Sequence, residues 1–146
     1  MSRALPKSVA EALVGAVLLM SMAAVPARAA DKMPLGSSVE IPAAQGEARF
    51  HATRNGNTEI QLNVRHLAPP GRIAPGTSVF VVWVRGLSPR SEAQNLGALR
   101  VDKNLNGRLR AVTAMPSFDL FLTCEQSQTV IVPAPLELLP VQRLVR

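Results

Sequence analysis

Beyond residue 30, no stretch of this chain carries helical periodicity. Alternation of apolar and polar residues and short β-branched runs take its place, punctuated by Pro and Gly. The runs fall at 37–41, 47–54, 58–64, 77–84, 95–101, 108–113, 118–124 and within 130–139. Evenly spaced short strands with turn signals between them predict an all-β fold. The expectation is an immunoglobulin-like antiparallel β-sandwich of about 7–8 strands. It would occupy residues 47–139, with an N-terminal segment 30–46 holding an edge strand and a tail 140–146.

The hairpin around Asn55-Gly56-Asn57 shows how patterning fixes faces. With these three residues as the loop, Phe50 opposes Leu62, Ala48 opposes Val64 and Ala52 opposes Ile60. The other face then pairs Glu47 with Arg65, Arg49 with Asn63, His51 with Gln61 and Thr53 with Glu59. A two-residue Asn-Gly turn would instead set Phe50 against Gln61 and mix buried with exposed side chains. One wet and one dry face suit an outer sheet. Residues 79–84, VFVVWV, are apolar on both faces and predict a central strand, covered on both sides or facing a partner, with its interior residues at the heart of the core.

The first 29 residues read as an export signal. Arg3 and Lys7 give a positive start, Ala12 to Val25 an apolar run, and Ala27-Arg28-Ala29 small residues flanking a cut after Ala29. The run is short of the ~20 residues of a spanning helix. No later stretch reaches that length, so no transmembrane segment is expected after cleavage. The domain is thus placed in the periplasm or outside the cell. Cys124 is the single cysteine; it cannot form an internal bridge and is expected as a small buried side chain.

The chain is basic, with a formal net charge of +6. Its arginines are scattered, although Arg108 and Arg110 stand two apart in one strand and share a face. With no Tyr and one Trp, stacking platforms for bases are lacking, and nucleic acid is not expected as a partner.

Catalytic equipment is sparse. Asp102-Lys103-Asn104-Leu105-Asn106-Gly107 matches the opening of a calcium loop. The twelfth position is Thr113 where a bidentate Glu is needed, and the ninth is Arg110. A β-turn built on Asn and Asp is the simpler reading. His51 and His66 would lie roughly 17 Å apart along the hairpin, too far for one metal ion. No G-x-S-x-G elbow and no phosphate-cradling glycine loop occur. No enzyme, cofactor or metal is expected.

Three segments resemble the extracytoplasmic C-terminal domain of anti-sigma-K factors. They are VFVVWV at 79–84 after a Pro-Gly loop, NLGALRVDKNLNG at 95–107, and SFDLFLTCEQSQTVIVPAPLELL at 117–139. The resemblance covers about Ala48 to Leu139 and implies an exported sandwich with no catalytic residues to transfer. With an export signal at its start, the chain is not expected to carry the family's sigma-binding segment or membrane helix, and Gln126-Ser127-Gln128 replaces its small-residue turn. Anti-sigma activity is therefore not carried over.

The leading functional expectation is a non-catalytic binding module of the cell envelope, its partner an envelope protein or a surface ligand. Binding is expected at one end of the sandwich, on the loops 65–76 and 85–94, with Arg65, His66, Arg72, Arg85 and Arg90 as candidate residues. The alternatives are a soluble regulatory relative of an anti-sigma-factor ectodomain acting on a membrane partner, and an enzyme of unforeseen type.

Overall fold

The computed structural model describes residues 31–35 and 38–145. The export signal expected over 1–29 lies outside the described residues. Among the described residues, nine strands run β1 (Asp31–Leu35), β2 (Gln45–Ala52), β3 (Thr58–Arg65), β4 (Val79–Gly86), β5 (Ala93–Ala98), β6 (Arg100–Val101), β7 (Gly107–Thr113), β8 (Phe118–Glu125) and β9 (Leu138–Leu144). One short helix, α1 (Pro70–Ile73), lies between β3 and β4.

The strands form two sheets, a five-stranded one in the order β1-β2-β3-β7-β6 and a four-stranded one in the order β5-β4-β8-β9. Every pairing is antiparallel. Taking β2 to β9 as A, B, C, C′, D, E, F and G gives A-B-E-D facing G-F-C-C′. That is the strand order of an immunoglobulin-like sandwich, with β1 added beside A.

The inner faces supply one core. Phe50, Ile60, Leu62 and Val64 of the first sheet meet Phe80, Val82, Val84, Phe118, Leu120, Leu122 and Cys124 of the second. Phe50 and Phe118 meet edge to face, with ring centroids 5.8 Å apart. The free thiol of Cys124 is buried in this core.

Several elements differ from the sequence reading. The hairpin loop is Arg54-Asn55-Gly56, closed by Thr53 N donating to Asn57 O at 2.9 Å. Gly56 takes φ 79°, the left-handed residue that a three-residue loop needs at its third position. Phe50 therefore faces Ile60 and Ala48 faces Leu62. The slip is two residues, so the expected division of faces survives. Ala52, however, is exposed near the loop.

Residues 39–41 make bends instead of the strand expected over 37–41 (residue 37 is not among those described). Two successive turns, Ile41 N to Ser38 O and Ala44 N to Ile41 O, occupy that backbone. The edge strand is β1. The run 95–101 divides at Leu99. Its N–H still donates to Phe80 O in the four-stranded sheet, and the chain then crosses so that Arg100 and Val101 pair with β7. This split accounts for nine strands where 7–8 were expected. The closing strand begins at Leu138 and extends into the expected tail. Pro133 and Pro135 lack the N–H that a ladder needs, and residues 126–137 instead form a flap.

That flap covers the outer face of β4. The strand is buried on both sides, as its composition demands, yet Trp83 does not lie between the sheets. Val81, Trp83 and Phe121 form a second cluster, with Val130 of the flap packed against it. The indole stacks on Phe121 at 6.4 Å between centroids. Trp83 Nε1 donates to Thr123 Oγ1 at 2.8 Å, and that hydroxyl donates to Glu125 Oε1. The same oxygen accepts Ala134 N of the flap at 2.8 Å. Asn95 Nδ2 ties down the other side through Gln128 O and Val130 O. No helix among the described residues is long and apolar enough to cross a membrane.

Candidate anion-binding face

On the five-stranded sheet, each inward apolar residue leaves a polar neighbour facing out. Register then places these outward side chains in rows. Glu47, Asn63, Arg108 and Arg100 stand side by side across β2, β3, β7 and β6. Lys32, Arg49, Gln61 and Arg110 form the next row across β1, β2, β3 and β7. Gln45 and Arg65 begin a third.

The acidic members of this face are already engaged. Glu47 holds Lys32 at 2.9 Å and Arg49 at 2.7 Å. Its carboxyl is held below the usual range by the Lys32 hydrogen bond first, then by Arg49. Glu59 accepts from Gln61 at 2.7 Å and from Arg110 at 3.0 Å, and these two contacts lower its carboxyl in the same way. Among the described residues, Arg65, Arg100 and Arg108 form no ion pair. Arg100 and Arg108 stand directly opposite each other, an arrangement that works against the sheet.

Two open grooves of about 650 Å³ each flank this centre, and both are walled by Asn63 and Arg108. The first is completed by Gln61, Arg100, Arg110 and Gln128. The polar lining of the second is completed by Gln45, Glu47, Arg49, Arg65, His66 and Asn106. Guanidinium forks and amides, with no carboxylate free of a partner, make a surface suited to anions that also carry hydrogen-bonding groups.

Of the residues singled out from sequence, Arg65 and His66 line the second groove together. His66 leaves β3 with φ 56°, and Leu67 N then donates to Leu105 O of the β6–β7 turn. Arg72 lies exposed on α1, outside the groove lining. Arg85 is on the outer face of the other sheet. It pairs with Glu137 at 2.8 Å and sits 4.7 Å above the Phe121 ring. Arg90 is exposed beyond the end of β4. The loops 65–76 and 85–94 do not share one end of the sandwich. They precede and follow the same strand, β4, and so stand at its opposite ends.

Arg100, Arg108 and Asn63 were missed as site residues. The shared face of Arg108 and Arg110 was the available signal. The opposition of Arg100 depends on the crossing at Leu99, which local pattern does not reveal.

The Asp102 loop is a turn in its own right. Asp102 Oδ1 accepts from Asn104 N at 2.8 Å and from Asn106 N at 3.0 Å, contacts that lower its carboxyl, Asn106 first. Among the described residues, no three His, Cys, Asp or Glu converge as a metal site. No protein-family profile, no curated protein and no solved structure matches this chain.

Proposed function

We propose that this protein is an exported, non-catalytic binding module of the cell envelope that holds an anionic ligand on the outer face of its five-stranded sheet. One observation carries the reading: Arg65, Arg100 and Arg108 converge around Asn63 between two grooves, while every carboxylate on the face is already paired. A sheet that sets two arginines against each other gives up stability; an anion between them would restore the balance. The leader supports export, and the likeness to anti-sigma-K outer domains supports work by contact outside the cytosol.

Dextran sulfate titrated into the protein by calorimetry tests the binding half. Arg100→Gln with Arg108→Gln should weaken the complex by about tenfold or more, as expected for lost charge-assisted bonds. Arg72→Gln with Arg90→Gln should leave it nearly unchanged. Equal losses from both pairs would mean that charge alone, and not this face, attracts the polymer. Fractionation tests the export half: protein found in the cytosol with residues 1–29 intact would refute it.

A further inference from the structure

The two grooves adjoin on one face. They share Asn63 and Arg108 as a common wall, so a ligand lying in both must pass over that pair. A track of two adjoining clefts suits a chain of repeating units better than a small molecule.

Its lining alternates in kind. Arg65 of β3 lies diagonally from Arg108 of β7, which pairs with Asn63, and Arg100 of β6 stands directly opposite Arg108. Amides stand between and beside them: Gln45, Gln61, Asn63, Asn106 and Gln128, with Glu47 at the edge already held by Lys32 and Arg49. Arginine matches a carboxylate with a two-pronged fork, whereas an amide offers both a donor and an acceptor, the complement of a hydroxyl group. Every Phe and the single Trp are buried, so bases would find no face on which to stack. A lipid bilayer is tested against this reading as a separate anion.

We propose that the track takes an acidic polysaccharide, with carboxylates on the arginines and hydroxyls on the amides. This rests on the anion-binding reading above and names its ligand class. Asn63 is then the residue that separates a sugar acid from a bare polyanion, because it lies at the junction of both clefts and its exposed side chain forms no hydrogen bond among the described residues.

The test measures binding of the protein to polygalacturonate, neutral dextran, polyphosphate and vesicles of anionic phospholipid. It compares the native chain with Asn63→Ala and with Arg108→Gln, both on an exposed face where folding is undisturbed; thermal melting verifies this. Polygalacturonate should bind about tenfold or more tightly than polyphosphate, and dextran not measurably, as hydrogen bonds to charged groups dominate. Asn63→Ala should weaken polygalacturonate several-fold and leave polyphosphate unchanged, while Arg108→Gln weakens both. Polyphosphate or vesicles binding as tightly, with Asn63→Ala without effect, would overturn the polysaccharide while leaving anion binding intact. Binding of none of the four, or of dextran as well as polygalacturonate, would overturn both.

Discussion

Arg100 faces Arg108 across the β6–β7 pair, two guanidinium side chains on one solvent face with no ion-pair partner for either among the described residues. Cross-strand neighbours of like charge oppose the pairing they sit on. Arg100→Glu should therefore raise stability, by about 0.2–1 kcal/mol, because it turns repulsion into an ion pair. The same change should abolish binding of dextran sulfate. Urea unfolding and calorimetry on one variant check both halves. A variant that is less stable, or one that binds as before, contradicts the role given to this pair.

The second sheet holds its flap through a relay from Trp83 to Thr123 to Glu125 to the Ala134 amide. Thr123→Val keeps the shape and removes the hydroxyl. The indole N–H is then buried without an acceptor, at a cost of about 1–3 kcal/mol. Urea unfolding should report that loss, and limited proteolysis should cut faster within 126–137. Trp83→Phe with Thr123→Val should recover part of it, since no orphaned donor remains.

Burial pushes the Cys124 thiol up to about 11, from an ordinary 9.0. The folded protein therefore keeps this proton where the unfolded chain has released it. The contribution is fully present below pH 9 and is lost as pH rises through about 11. Stability should fall less steeply across that window in Cys124→Ala than in the native protein, measured by urea midpoints. At neutral pH, thiol reagents should modify Cys124 only at the rate of unfolding.

Gly107 shows how closely the crossing at Leu99 is packed. A Cβ on residue 107 would run into the Leu99 side chain, the closest contacts falling on its Cδ2 and Cγ. The Leu99 backbone is held by its N–H bond to Phe80 O and its side chain is buried in the core, so it has little room to withdraw. Gly107→Ala should cost about 1–3 kcal/mol, the usual range for overpacking. It should also weaken anion binding, since Arg100 follows Leu99 directly. Thermal melting alongside dextran sulfate titration checks the pair of effects.

The parts of this fold written in local pattern were readable, and the parts set by distant contacts were not. The hairpin faces were legible because a slip of two residues preserves alternation. The loop position was not, because the motif Asn-Gly-Asn does not say which slot must be left-handed; Gly56 at φ 79° settles it. The double burial of β4 followed from VFVVWV, but an unbroken apolar run gives no sign of which alternate residues turn inward. Thr123 and Glu125, on a strand forty residues on, hold the indole outside. The site divided in the same manner. Arg108 and Arg110 shared a face by simple spacing, and Arg65 was marked as a loop arginine. Arg100 joined them only through a change of sheet in the middle of an expected strand.

We propose that this protein meets its ligand on the wet face of the five-stranded sheet. Backbone amide shifts recorded while oligogalacturonate is added test it residue by residue. Perturbations should concentrate at Asn63 to His66, Arg100 and Gly107 to Arg110, and leave Arg85 to Arg90 still. Shifts confined to the loops at the two ends of β4, or none at all at saturating oligomer, would contradict it.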